Sequence, residues 1–111
     1  MDLGKVLLYQ GRRDEARAAF ERAAALAPTD PYAPYYLATL LIDDGKYAEA
    51  VPLLQRSLEF DPLNPKAHYS LAQAFQRLGR DAEAAREFAL QQEILKRLRD
   101  TRQMSGIASS D

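Results

Sequence analysis

Few side chains in this sequence have the type and spacing that catalysis or metal binding requires. There is no cysteine, so disulfides and thiolate metal sites are excluded. The single histidine, His68, cannot supply a multi-histidine metal site, and no Ser-His-Asp arrangement can be assembled around it. The adjacent acids Asp43 and Asp44 precede Gly45, which is typical of a solvated helix end rather than of a catalytic carboxylate pair. We predict a protein that is not an enzyme and binds no cofactor or metal.

The charge balance and the lengths of the apolar runs argue against nucleic acid and membranes as partners of this protein. The 111 residues carry 16 acidic and 15 basic side chains, a net charge of −1, which gives no reason to expect nucleic acid or anionic lipid. The longest purely apolar run, residues 23–27, is far shorter than the ~20 residues that span a bilayer. Near the N-terminus, Val6, Leu7 and Leu8 are too few for a signal peptide. We expect a cytoplasmic protein without membrane insertion.

The elements that must position any binding residues are helices that recur every 34 residues. Good helix formers dominate, with 19 Ala and 16 Leu, whereas Val, Ile and Thr together number eight. Gly11, Gly45 and Gly79 follow one another at the 34-residue interval, and so do Pro28 and Pro62. A fixed period of this size indicates an array of supersecondary units. The same 34-residue interval relates three further sets of residues, which are Ala16, Ala50 and Ala84, then Phe20, Leu54 and Phe88, and then Leu3, Leu37 and Leu71.

Each unit is predicted to be two helices joined by a short turn. Asp30 before Pro31, and Asn64 before Pro65, each supply an N-cap followed by proline at the first helical position. Gly45 can take the left-handed conformation that ends a helix. We expect helices at about 2–10, 13–27, 31–44, 47–60, 65–78 and 81–100.

With this 34-residue period and these recurring glycine and proline positions, the chain resembles the tetratricopeptide-repeat family over about residues 1–98. The matching residues are Leu37, Ala38, Leu41, Gly45, Tyr47, Ala50, Leu54, Leu58, Asp61 and Pro62 in the middle unit, Tyr69, Leu71, Ala72, Phe75, Gly79, Ala84 and Phe88 in the third, and Leu3, Gly4, Leu7, Gly11, Ala16, Phe20, Ala23 and Pro28 in the first. The resemblance implies an all-α fold, an α-α superhelix or solenoid of three tandem units with an extended C-terminal helix.

The resemblance also fixes the expected domain boundaries and core. The repeat domain is placed at residues 1–100, with units at 1–30, 31–64 and 65–98, and residues 101–111 are expected to be a disordered tail. The equivalent residues Phe20, Leu54 and Phe88 are expected to fill the space between the paired helices. His68 stands where the family often has a large residue packed inside the repeat.

By the same resemblance, a concave groove is lined by the first helix of each unit. The binding positions predicted there are Lys5, Tyr9, Tyr32, Tyr35, Thr39, Lys66, Tyr69, Gln73 and Arg77. Tyrosine is enriched at binding hot spots because its large rigid ring ends in a hydrogen-bonding hydroxyl. The basic residues of this face outnumber its one acid, Asp43, so the groove is expected to be mildly basic. The alternative role for these tyrosines is packing between repeats, for Tyr36 especially.

One subfamily binds chaperone C-terminal tails through a clamp of Lys, Asn and Arg on the first helices. Lys66 matches one clamp position, but Met1, Lys5, Tyr36 and Ser70 stand at others that need different residues. The resemblance therefore argues against a chaperone-tail receptor.

Both ends of the array carry apolar residues that another unit or another chain would cover. The first unit begins partway through its first helix, which suggests a piece of a longer repeat protein, or a short chain that self-associates. The last helix has no proline at the position where Pro28 and Pro62 end the earlier units. Its apolar stripe is either a cap on the third unit or a surface for another chain. The candidate docking residues at the two ends are Leu3, Val6, Ile94, Leu95 and Leu98.

The sequence therefore predicts a non-enzymatic interaction scaffold that binds a protein or peptide segment in a Tyr-rich, mildly basic groove. The alternative is a structural or oligomerisation domain of a larger repeat protein, in which the terminal helices form a weak homo-oligomer. Mass in solution distinguishes the two, because a strict monomer contradicts the second.

Overall fold

The computed structural model describes Gly4 and residues 11–109, with side chains described as far as Arg102. Five helices and no strand occupy this part of the chain, which makes the fold all-α. They are α1 (Arg13–Leu26), α2 (Tyr32–Asp43), α3 (Tyr47–Phe60), α4 (Pro65–Arg77) and α5 (Asp81–Ser109). Each helix packs against the next in chain order, and α2 also contacts α4, as in a solenoid of helix pairs. The helix expected at 2–10 lies outside the described residues, apart from the helical Gly4.

The turns within the second and third units have the same backbone geometry. Gly45 and Gly79 both have φ of +78°, a left-handed conformation that other residues rarely adopt. The next residue closes each turn, since the Lys46 N–H donates to the Leu41 carbonyl at 2.8 Å and Arg80 repeats this bond one unit later. The predicted glycine stops are confirmed, and they fix the angle at which each second helix returns along the first.

The turns between units are held by the two predicted caps. The Asp30 carboxylate accepts hydrogen bonds from the backbone N–H groups of Tyr32, at 3.2 Å, and Ala33, at 3.3 Å. One unit later, Asn64 Oδ1 accepts from the N–H groups of Lys66, at 3.0 Å, and Ala67, at 3.4 Å. Asp30 and Asn64 therefore bond equivalent backbone N–H groups 34 residues apart, although α2 begins at Tyr32 and α4 one repeat position earlier, at Pro65.

The core between paired helices follows the predicted positions except at the C-terminal end. Phe20 and Leu54 are fully buried, and the small residues Ala16 and Ala50 beside them let the helices approach closely. The expectation that Phe88 is equally buried is wrong, since Phe88 is only partly buried against the core of the second and third units. It lies in the last unit of the described chain, where no further helix pair covers its outer side.

The last helix extends further than the sequence predicted. α5 continues through Ser109, so the helix end expected near residue 100 is wrong. The physical reason is the absence of any proline after Pro65, because the one residue with poor helix propensity in this stretch, Gly106, costs only about 1 kcal/mol. The disordered tail expected at residues 101–111 stays a prediction.

Candidate functional site

The predicted groove brings together side chains from the first helices of the second and third units. Tyr32 and Tyr35 lie on α2, and Lys66 and Tyr69 occupy the equivalent positions on α4, 34 residues later. Residues three apart share a helix face, so each helix presents one pair to the same side. We call the two clefts that these residues line the tyrosine groove.

The first cleft of the tyrosine groove lies between α2 and the turn that leads into α4. Its volume is about 440 Å³. It is lined by Tyr32, Tyr35, Tyr36, Asp61, Leu63, Asn64, Pro65 and Lys66. The cleft therefore combines three phenol rings with one carboxylate and one ammonium group, which suits a polar ligand with an apolar body.

The second cleft adjoins the first and shares Tyr35 and Lys66 with it. Its volume is about 290 Å³, and Tyr69, Ser70 and Gln91 complete its lining. Because Gln91 belongs to α5, the long last helix forms one wall of the groove. The two clefts together make a continuous surface that a short chain segment can cross.

The tyrosines of the groove differ in how firmly they are held. Tyr36 stacks on Phe20 of the first unit, with ring centroids 5.2 Å apart, and its edge meets Tyr35 at 5.3 Å. Tyr36 thus packs between units, as the alternative interpretation of the tyrosines predicted for it. Tyr69 rests edge-on against Phe88 at 5.9 Å but leaves 46% of its surface exposed, so it is available to a ligand.

Tyr35 is the half-buried tyrosine at the junction of the two clefts. Burial raises the pKa of its phenol above the ordinary value, the neighbouring Tyr36 adds to the shift, and a hydrogen bond with Ser70 opposes it. The phenol therefore stays neutral well into the alkaline range. A neutral, fixed hydroxyl can both donate and accept a hydrogen bond to a bound backbone.

Some predicted groove residues lie away from the two clefts. The Thr39 hydroxyl donates to the Tyr36 carbonyl at 2.7 Å and is therefore already used within α2. Gln73 and the exposed Arg77 lie further along α4 and do not line either cleft. Lys5 and Tyr9 lie outside the described residues.

Sequence reasoning missed the part of the groove that comes from outside the first helices. Asp61, Leu63 and Asn64 lie in the turn between α3 and α4, and Gln91 lies on α5. The signal was the proline at the start of α4, because the turn before it must return the chain to the edge where the first helices begin. The spacing of residues along a helix face carries no information about which turn residues reach the groove.

The two acids that end α2 have partners. Asp44 accepts hydrogen bonds from Arg13, at 2.9 Å, and Arg17, at 2.8 Å, and Asp43 lies 3.4 Å from Arg13. The expected solvation of this helix end is thus supplemented by ion pairs that connect α1 to α2. Paired and exposed carboxylates are not arranged as a general acid and base.

His68 is buried inside the third unit, as the resemblance implied. Its Nδ1 lies 2.6 Å from Glu87 Oε2 and its Nε2 lies 2.7 Å from the Pro62 carbonyl. The side chains of His68 and Glu87 are 9% and 14% exposed. Both ring nitrogens are therefore engaged in fastening α4 to α5 and to the preceding turn, which leaves neither free for chemistry.

At the C-terminal end, the predicted docking residues divide into two groups. Ile94 is buried, whereas Leu95 and Leu98 are 41% and 51% exposed. The other two candidates, Leu3 and Val6, lie outside the described residues.

In the described part of the chain, no group of three His, Cys, Asp or Glu side chains is placed to hold a metal ion. Nor does any helix there combine the length and apolar character needed to cross a bilayer.

Comparison with protein families gives a decisive match. Two models described as tetratricopeptide repeat match the sequence, one over residues 1–65 and the other over residues 41–103. The chain belongs to the tetratricopeptide-repeat family. Together the two matches include both clefts of the tyrosine groove, so the groove is part of the repeat array. No curated protein matches the sequence.

Solved structures of other tetratricopeptide repeats share the fold. A crystal structure of MamA superposes with a TM-score of 0.81 at 22% identity, covering 88% of this chain and 57% of the MamA chain. The second repeat domain of Spaghetti (RPAP3), bound to the HSP90 peptide SRMEEVD, superposes with a TM-score of 0.79 at 22% identity, covering 84% of this chain and 86% of that one. The chain thus spans little more than half the length of MamA.

Proposed function

We propose that this protein is a non-enzymatic interaction module that binds a peptide segment along the tyrosine groove. The observation that carries the proposal is the meeting of Tyr32, Tyr35, Lys66 and Tyr69 at two adjoining clefts. Aromatic rings held by neighbouring side chains lose little entropy on binding, which is why tyrosine contributes strongly to binding energy.

The family supports this use of the groove. Tetratricopeptide repeats serve as protein-interaction scaffolds, and the Spaghetti domain of the same fold is bound to a peptide. In this chain, Lys66 lines both clefts and Arg77 lies exposed further along the same helix. Lys66 favours a peptide with an acidic or C-terminal carboxylate group in the clefts, and Arg77 would add to this preference only where the peptide extends along α4.

The test begins with a random dodecapeptide display library selected against the whole chain. Affinities of the selected peptides are then measured for the parent, for Tyr35→Ala and for the Tyr35→Ala, Tyr69→Ala double variant. We expect Tyr35→Ala to weaken binding by about 1–3 kcal/mol, because a hot-spot ring is removed. The matched control is Phe60→Ala, since Phe60 is an aromatic residue with 44% exposure that lines neither cleft.

Circular dichroism of each variant checks that the helices remain. Equal binding of the selected peptides to the parent and the double variant would contradict the proposal, as would a loss of binding in Phe60→Ala as large as in Tyr35→Ala.

Self-association is a second candidate function, favoured by the half-exposed Leu95 and Leu98 on α5. Two copies that pair through α5 would bury these residues symmetrically.

A further inference from the structure

The first cleft of the tyrosine groove holds two opposite charges that do not neutralise each other. Asp61 and Lys66 both line the cleft. Among the described residues, neither side chain makes a hydrogen bond or an ion pair, with the other or with any third residue. A carboxylate and an ammonium group thus both line one cleft of about 440 Å³ without pairing with each other.

The backbone at both charges is fixed. The Asp61 N–H donates to the Ser57 carbonyl at 3.0 Å, and the Lys66 N–H donates to Asn64 Oδ1 at 3.0 Å. Since the backbones are held, both side chains project from defined backbone positions at the cleft. Only the side-chain rotamers remain to be ordered when a ligand binds.

Asp61 with Pro62 matches the family pattern, so the repeat itself accounts for an acid at this position. The turn does not depend on the carboxylate, because the equivalent residue one unit earlier is Ala27. The Asp61 side chain is therefore available to a ligand at the cleft. The same cleft is lined by Tyr32 and Tyr35, whose ring faces can attract a cation.

We infer that the first cleft selects a peptide segment of mixed charge, with a basic side chain directed to Asp61 and the tyrosine rings, and an acidic group directed to Lys66. This inference rests on the proposed peptide binding and specifies its partner. A purely acidic segment would satisfy Lys66 but would place a negative charge beside Asp61 without compensation.

The experiment selects the random dodecapeptide library in parallel against the parent, Asp61→Asn and Lys66→Gln, at low ionic strength, where exposed charges are least screened. Peptides selected on the parent are expected to carry both a Lys or Arg and an Asp or Glu. Selection on Asp61→Asn should lose the basic residue, and selection on Lys66→Gln should lose the acidic one. Matched controls are Asp14→Asn and Lys46→Gln, exposed charges that line neither cleft.

Binding affinities then test the contact with Asp61 directly. For a mixed-charge peptide, Asp61→Asn is expected to raise Kd roughly two- to fivefold, the range for exposed ion pairs. The same peptide with its basic residue replaced by glutamine should respond little to Asp61→Asn, because the contact is already gone.

Two results separate the failure of this inference from the failure of the proposed function. If the parent selects peptides that depend on Tyr35 and Tyr69 but contain only acidic residues, or if Asp61→Asn leaves every Kd unchanged, peptide binding stands and the charge selection is overturned. If no selected peptide depends on Tyr35 or Tyr69, the proposed function fails, and this inference fails with it.

Discussion

At the scale of single residues, the third unit uses a polar pair where the second uses apolar side chains. His68 and Glu87 correspond, one repeat earlier, to Pro34 and Leu53. The 2.6 Å contact of His68 with Glu87 and its 2.7 Å contact with the Pro62 carbonyl connect α4 to α5 and to the turn that lines the first cleft. A nearly buried pair is costly to break because the remaining partner loses its hydrogen bond without regaining water.

We therefore expect His68→Leu to lower the free energy of unfolding by about 1–3 kcal/mol, since Glu87 is left without its partner. The His68→Leu, Glu87→Leu double variant should recover part of this loss, because replacing both members of a buried pair by apolar groups can be nearly neutral. Urea unfolding of both single variants and the double variant measures the coupling. Strictly additive losses would show that the pair does not act as a unit.

Residue types alone predicted the chemistry of the groove only in part. The 34-residue step placed Tyr32, Tyr35, Lys66 and Tyr69 on equivalent helix positions, and the clefts contain all four. Asp61 was recognised only as part of the repeat pattern. Whether its carboxylate points into the cleft depends on the path of a turn, which no helical periodicity encodes.

At the scale of helices, the packing between paired helices determines stability. Leu54 is fully buried in α3 and belongs to the core formed by the second and third units. Large-to-small replacements at such sites lose the transfer free energy of the side chain and also leave a cavity. The exposed Leu90 on α5 offers the same side chain without the burial.

Leu54→Ala is therefore expected to lower the free energy of unfolding by about 2–5 kcal/mol. Leu90→Ala, the matched control, should change it by no more than about 0.5 kcal/mol. Both values come from urea titrations followed by circular dichroism. A loss at Leu54 no larger than that at Leu90 would mean that the assigned repeat register is wrong.

The sequence located the helices well where capping residues and glycines mark their ends. Asp30 and Asn64 start α2 and α4, and Gly45 and Gly79 close the turns, so the expected bounds differ from the observed ones by a residue or two. The end of α5 was missed because the polar residues after Asp100 carry no helix-stopping signal. A polar stretch without proline can either extend the preceding helix or be non-helical, and composition does not decide between these outcomes.

At the scale of the whole molecule, α5 extends the array with a surface that the repeats do not cover. Leu95 and Leu98 are half exposed, and the charged residues around them are mostly basic. Residues 93–102 contain four basic and two acidic side chains, so two copies that pair through this segment would repel each other electrostatically. Self-association through α5 should therefore be weak.

Sedimentation equilibrium at several protein concentrations tests this association. We expect a weak dimer that strengthens as salt screens the repulsion. The Leu95→Gln, Leu98→Gln double variant should be monomeric with its helices intact. The control Leu78→Gln, at the exposed end of α4, should associate like the parent. A chain that is monomeric from micromolar to millimolar concentration at high salt would contradict self-association.

The central claim is that a peptide binds along the tyrosine groove, and mapping its contacts by NMR tests this claim most directly. A peptide selected from the dodecapeptide library is titrated into the isotope-labelled chain, and chemical-shift changes and intermolecular contacts are assigned to residues. The account predicts that they concentrate on Tyr32, Tyr35, Lys66 and Tyr69. Contacts concentrated on α5 beyond Ile94, with the four groove residues unchanged, would contradict it.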